Sequence, residues 1–242
     1  MRIMKPLQHA QISAKTYGGS WTDYIEVHNF LDSSKAACAH FKHRFLLHHV
    51  EGIEIGVKIF GETLTNSENK IIETRRLLTD HLIEDIGRVV KAETWARDLL
   101  PDRGDSFYKF LAKKRASIEA DSVPGENELF DAFNLSEEMR SAVKNFLAFP
   151  LRNSAHAGAL LISHNSFAVF LAERIFGCAF VKNTNSQKQL VAVREVFERL
   201  IFLRMKAAYS PAEIIARTAS REWMRGADAS NAQAEKKRLA LF

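Results

Sequence analysis

Displaced by 116 residues, the chain matches itself, and this repeat restricts the architecture more than any single motif. Across positions 27–61, ten residues recur identically at 143–177 without a gap. Val27, Asn29, Phe30 and Leu31 fall on Val143, Asn145, Phe146 and Leu147. Ala39-His40 falls on Ala155-His156, His48 on His164, and Ile59-Phe60-Gly61 on Ile175-Phe176-Gly177. Past the glycine the register slips by three residues, and each half carries an Asn-Ser turn (Asn66-Ser67, Asn185-Ser186) before a helical segment.

Each half reads as mostly helical. Thr22 or Asp23 can cap a short helix carrying Tyr24, Val27, Phe30 and Leu31. A long central helix is expected from about Lys35 to Phe60, closed by Gly61, with Gly52 and Gly56 on one face for close packing. Thr63 to Thr65 and Ile71 to Glu73 flank Asn66-Ser67-Glu68-Asn69 as a small β-hairpin. Helices over about 75–85 and 93–100 follow. In the second half Ser136 caps a helix, Pro150 interrupts it, a long helix ends at Gly177, and a last one covers 190–208. The expected fold is mainly α: two tandem helical repeats forming a pseudo-dimer, each with a long central helix and a small β-hairpin. The expected domains are a first copy (1–101), a linker helix and loop (102–126) containing Ser122-Val123-Pro124-Gly125, a degenerate second copy (127–225) and a flexible tail (226–242).

Composition narrows the class. Apolar residues make up 46% and charged residues 26%, with 17 Phe, which excludes disordered and collagen-like chains. The balance of 34 basic against 29 acidic residues gives +5, a mild excess that allows nucleic-acid contact without arguing for it. Two cysteines, Cys38 and Cys178, cannot build a disulfide framework and fit a reducing cytoplasm. No signal peptide and no run long enough to span a bilayer is read in the sequence.

The polar residues show what the second half lost. His28, Asp32, Lys35, His43, Arg44 and His49 correspond to Lys144, Ala148, Leu151, Ala159, Leu160 and Asn165, while the apolar pattern persists. A polar set lost from an otherwise retained pattern points to a site confined to the first half. On a continuous helix His40, Arg44 and His48 share an arc of about 80°, with His43 beside them. His28 and Asp32 form an i,i+4 pair, and His81 with Glu84 and Asp85 makes a further cluster. Imidazole plus carboxylate from several helices is the donor set that zinc, iron or manganese favours. No His-Glu-x-x-His and no Cys-x-x-Cys occurs. Arg44 to His49 and Arg76 to His81 share the Arg-x4-His spacing of some helical ribonucleases, a spacing that arises cheaply in a chain this rich in Arg and His. The cluster Lys113-Lys114-Arg115, and Lys236-Lys237-Arg238 in the tail, could meet phosphate.

The first half also resembles a short bacterial and phage domain family of unknown function. The resemblance rests on His9-Ala10-Gln11-Ile12-Ser13-Ala14-Lys15-Thr16-Tyr17-Gly18-Gly19, Asp23-Tyr24, Val27-His28, Asp32-Ser33-Ser34-Lys35, Lys42-His43-Arg44 and His48-His49. It continues through Phe60-Gly61, Asn66-Ser67, Glu84-Asp85-Ile86-Gly87-Arg88 and Glu93-Thr94-Trp95-Ala96, covering residues 8 to about 101. Three positions depart from the family pattern: Thr79-Asp80-His81 stands where Glu-Gln-His is usual, and His40 where an acid is usual. The resemblance implies a small helical domain with a His-rich polar seam, no established activity, and a phage or prophage origin.

Together these readings lead to a cytoplasmic accessory protein of phage or mobile-element type with one His/Asp metal-type site. As a metal-assisted hydrolase it would use His28, Asp32, His48 and His81 as ligands to a divalent metal (zinc, iron or manganese). Lys35 and Arg44 would hold an anionic substrate, and His43 or Glu84 would carry protons. The alternatives are a non-catalytic protein that binds a host factor, a virion component or its own copy, and a nucleic-acid binder acting through Lys113, Lys114 and Arg115. No membrane association is expected.

Overall fold

A computed structural model describes residues 4–100, 105–184, 187–219 and 221–226. The fold is mainly helical with two small antiparallel sheets. Two compact units divide the chain, one holding residues 1–99 together with the returning C-terminal segment from 219, the other 100–218. Among the described residues, no single helix is long and apolar enough to cross a membrane.

The first unit runs α1 (Pro6–Tyr17), α2 (Ile25–Asp32), α3 (Val50–Phe60), the hairpin β1 (Thr63–Thr65) and β2 (Ile71–Glu73), α4 (Thr74–Ile86) and α5 (Ala92–Leu99). Leu64 pairs with Ile72 at the centre of the hairpin. Tyr24, Leu31, Leu77, Leu78, Leu82 and Trp95 are fully buried between these helices, each side chain contributing on the order of 1.5–3 kcal/mol by leaving water. The Asp23 carboxylate accepts from Ser20 N, Ser67 N and Ser67 Oγ, so it ties the turn before α2 to the hairpin loop. Asn66, almost fully buried, donates to Tyr24 Oη and accepts from Glu68 N and Lys70 N. Gly19 has φ +71°, and a β-carbon there would meet Asp23 Oδ2 at 2.4 Å. Gly18-Gly19, Asp23-Tyr24 and Asn66-Ser67 therefore brace the fold.

The long central helix expected over 35–60 is not formed. The stretch breaks into 3-10 turns at Ser33–Ala36 and Phe41–Leu46, and only then enters α3. Two histidines impose the breaks by acting as N-caps: His40 Nδ1 accepts from Lys42 N, and His49 Nδ1 from Gly52 N. The shared helical face of His40, His43 and His48 disappears with it. Gly52 lets the chain fold back at this point, since a β-carbon there would lie 1.9 Å from Leu47 O.

The second unit runs α6 (Ser106–Glu119), α7 (Glu126–Phe133), α8 (Glu137–Arg152), α9 (Leu160–Ser163), α10 (Ser166–Phe176), the hairpin β3 (Ala179–Thr184) and β4 (Gln187–Ala192), α11 (Val193–Met205) and α12 (Pro211–Ala216). From α8 onward its order is that of α2 to α5, and the matches extend to single interactions. α3 and α10 have 11 residues each, α4 and α11 have 13. Phe30 meets Phe60 edge-on at 5.7 Å, and Phe146 meets Phe176 edge-on at 5.9 Å. Val50 N donates to Val90 O, and Ser166 N to Tyr209 O. Asn165 caps α10 as His49 caps α3.

Several boundaries differ from the sequence expectation. The segment 102–126 holds α6 and the first residue of α7, both in the second unit. Pro150 lies inside α8, in its last turn, where it withholds one N–H without ending the helix. The last long helix begins at Val193 because 187–192 pair as a strand, and it ends at Met205 because Lys206 takes a left-handed conformation. Residues 221–226 return to the first unit, with a 3-10 turn at Glu222–Arg225. The remainder of the expected tail lies outside the described residues.

Gly52→Ala is expected to cost about 3 kcal/mol or more, because a backbone carbonyl cannot rotate out of the way as a side chain can. Gly56→Ala should cost less, since its added carbon meets the mobile end of Leu78. Urea unfolding of the two variants checks the order; equal midpoints would contradict it.

Candidate metal centre

Asp32 from the end of α2, His48 from the link before α3, and His81 and Asp85 from α4 converge in the first unit. One donor atom from each lies within 4.8 Å of the others, and all four residues are buried. His81 and Asp85 are one helical turn apart, so α4 places both on the same face. His48 Nε2 lies 3.0 Å from Asp85 Oδ2 and 3.6 Å from Asp32 Oδ1. His81 Nε2 lies 3.7 Å from Asp85 Oδ2 and 3.9 Å from Asp32 Oδ1. A tetrahedral ion with bonds of about 2.1 Å separates its ligands by roughly 3.4 Å, so an ion would open the 3.0 Å His48–Asp85 hydrogen bond and draw the wider-set donors inward.

The hydrogen bonding also leaves donors available. Asp32 Oδ1, His81 Nε2 and His43 Nε2 are buried without a hydrogen-bond partner, while Asp85 Oδ1 faces protonated His9 Nε2 at 3.3 Å. Buried polar atoms left so are rare, and three gathered beside His48 suit a ligand. His43 Nε2, 4.0 Å from Asp32 Oδ1, stands just outside the four.

A second layer of residues holds these side chains. Lys35 Nζ donates to Asp32 Oδ2 at 2.5 Å, turning Oδ1 inward. Arg44 donates through Nε and Nη2 to Asp85 Oδ2, both at 3.0 Å, and through Nη1 to Met224 O at 3.2 Å. His28 Nδ1 lies 3.0 Å from His81 Nδ1, and His28 Nε2 lies 2.9 Å from Ser13 Oγ. With Nε2 of His81 turned to a metal, its proton sits on Nδ1 and is donated along this chain, the usual support of a ligating imidazole. Ser34 Oγ meets His43 Nδ1 at 2.9 Å. Trp95 Nε1 donates to His48 O, fixing the backbone that carries His48.

Protonation favours metal binding. Burial holds His48 below its ordinary range despite the Asp85 carboxylate. Burial and then the charge on His9 hold His81 well below it. His43 is held down by burial, then by His48, Lys35 and Arg44. Neutral imidazoles are the form that ligates a metal. Burial works against ionised Asp85, but hydrogen bonds from His48, His81 and His9 outweigh it and keep the carboxylate charged. Burial likewise opposes protonated His9, yet Asp85 and Glu84 lift it to about 9.

Of the sequence candidates, Asp32, His48 and His81 come together. His28 stands one layer back, behind His81. Glu84 turns to His9 Nδ1 at 2.5 Å. Arg44 is 1% exposed and committed to Asp85 and Met224, so it does not offer a free guanidinium to a substrate. The sequence reading left Asp85 out of the ligand set and His9 out of the site. Asp85 could have been placed by its one-turn spacing from His81; nothing local marks His9. The Arg-x4-His pairs separate, Arg44 reaching Asp85 while His49 caps α3, and Arg76 lying over Tyr17 while His81 is buried. In the linker cluster Arg115 donates to Ser154 O and Leu151 O and pairs with Glu119, and Lys114 lies over Phe110. Lys113 is exposed.

At the corresponding place in the second unit, Ala148, Leu200 and Arg204 stand where the first has Asp32, His81 and Asp85. Arg204 is buried and donates to both oxygens of Glu126 at 2.9 and 2.7 Å. His164, the counterpart of His48, lies 3.4 Å from Arg204 Nη1 and is held neutral by burial and that charge. Ala148, Leu200 and Arg204 offer a metal no ligand atom. Among the described residues, no second group of metal-binding side chains is found.

Residues 4–103 match a family model described as Domain of unknown function (DUF6915), which spans the first unit from α1 through α5. No curated protein and no solved structure matches the chain.

Asp85→Asn is expected to destabilise the metal-free protein by about 3–5 kcal/mol, since it leaves Arg44 buried without its carboxylate. Chemical denaturation checks this. A loss under about 1 kcal/mol would mean that Asp85 does not organise the unit.

Proposed function

We propose that the first unit is a divalent-metal-binding domain whose ion is held by Asp32, His48, His81 and Asp85. The observation that carries the reading is the convergence of two buried imidazoles held below their ordinary pKa and two buried carboxylates within 4.8 Å of one another, with Asp32 Oδ1 and His81 Nε2 lacking a hydrogen-bond partner. Two imidazoles and two carboxylates suit zinc, manganese or iron(II). The closed surroundings favour a resident ion. Metal-assisted hydrolysis is the catalytic form of the reading: the ion would lower the pKa of a bound water, and His43, 4.0 Å from Asp32 but held far below its ordinary range by burial, is too weak a base to take its proton.

The second unit is, in this reading, a duplicated copy that kept the fold and exchanged the site for an internal ion pair. The matched helix lengths and paired aromatic contacts support duplication, and the Arg204–Glu126 pair supports loss of the metal. A cytoplasmic, phage-type accessory role belongs to the same proposal and rests on the sequence alone.

Incubation with zinc, manganese(II) or iron(II), desalting and elemental analysis should find about one ion per chain. Asp32→Asn and His81→Gln should retain less than a tenth of it. Free metal at about 100 times its Kd should stabilise the parent by about 2.7 kcal/mol in thermal unfolding and leave both variants unmoved. A folded parent that takes up none of the three ions, and whose melting none of them shifts, would sink the proposal.

A further inference from the structure

The metal reading leaves open how an ion or substrate reaches four buried ligands. Exposure singles out one route. Among the side chains packed against the four, His9, His43 and Arg44 are 0–2% exposed, and His28 is equally buried. Lys35, among these described side chains, is the one that reaches water, its side chain 30% exposed while Asp32 beneath it is 3% exposed. Its ammonium sits on Asp32 Oδ2, and Oδ1 of the same carboxylate faces the ligand cluster. One flexible side chain thus separates solvent from a ligand. The Arg44 side is sealed more deeply. There Met224 is fully buried, and its neighbour Trp223 packs on Trp95 at 4.5 Å, under Arg88 at 4.1 Å, with its Nε1 donating to Asp98.

We infer that Lys35 is the gate of the metal centre and that small oxyanions are the ligands that hold it open. The inference rests on the metal reading. When Lys35 swings off Asp32, the carboxylate is uncovered from outside. An anion stabilises that open state because it replaces Asp32 as partner of the ammonium. A bound metal draws charge from Asp32, which weakens its hold on Lys35 and favours the anion at the mouth. By linkage, anion and metal then bind with positive coupling. Any substrate of the centre is accordingly anionic and is met first by Lys35.

The test follows release of zinc from the loaded full-length protein to excess EDTA. Lys35→Met should release zinc at least tenfold faster than the parent, with equilibrium affinity unchanged or higher, and Lys35→Arg should restore a slow rate. Trp223→Phe, on the sealed side, should leave the rate within twofold of the parent. Sulfate should accelerate release saturably in the parent and leave Lys35→Met unaffected. An unchanged rate in Lys35→Met, a greater effect from Trp223→Phe, or a parent insensitive to sulfate would overturn the inference. So would an affinity loss in Lys35→Met that accounts for its faster release, since Lys35 would then be a support for the ligands. A parent that binds no zinc defeats the metal reading. The gate is then judged on the metal-free protein by diethyl pyrocarbonate modification of His43, His48 and His81, mapped by mass spectrometry. Faster modification in Lys35→Met than in the parent upholds the gate, and equal rates reject it.

Discussion

The first unit is organised around the buried carboxylate of Asp85. It receives the Arg44 guanidinium, faces His48 and His81, and lies 3.3 Å from His9. A charge taken out of water is tolerated only when hydrogen bonds and opposite charge replace the solvent. That requirement draws together α1 through His9, the broken segment before α3 through Arg44 and His48, and α4 itself. It reaches the returning C-terminal segment as well, because Arg44 also binds Met224 O. His48 and His81, held below their ordinary range by burial, stand beside a carboxylate kept ionised by hydrogen bonds from them and from protonated His9.

The second unit meets the same requirement with the opposite sign. Arg204 takes the place of Asp85, and Glu126 on α7 supplies the carboxylate, as His9 on α1 supplies a protonatable ring. The packing contacts around this centre, Phe146 on Phe176 and Ser166 N to Tyr209 O, keep the geometry of their counterparts. Helix packing and caps tolerate either centre, since what they require is a neutralised buried pair. The metal chemistry does not, since it requires imidazole and carboxylate donors, and Ala148, Leu200 and Arg204 supply none.

Much of this was legible in the chain. The hairpin over 63–73, the Gly87 end of α4 and the Ser136 cap of α8 follow from local stereochemistry and appear where the sequence puts them. Asp32, His48 and His81, three of the sequence candidates, come together with Asp85 in the first unit. The stretch from Lys35 to Phe60 was not legible, because helical periodicity persists through it while His40 and His49 turn from side-chain donors on a face into caps that stop the helix. A histidine that caps and one that ligates look alike in a sequence.

The sequence by itself determined the helical class, the hairpins, the residue types of the site and the asymmetry between the halves, because these depend on local preference and on composition. Tertiary structure alone decided which of the histidines point inward together, that Asp85 and not His28 joins Asp32, His48 and His81, that Arg44 is consumed in holding Asp85, and that Lys35 is left at the surface. Those outcomes depend on distances between segments far apart in the chain, fixed by packing and by the need to neutralise each buried charge.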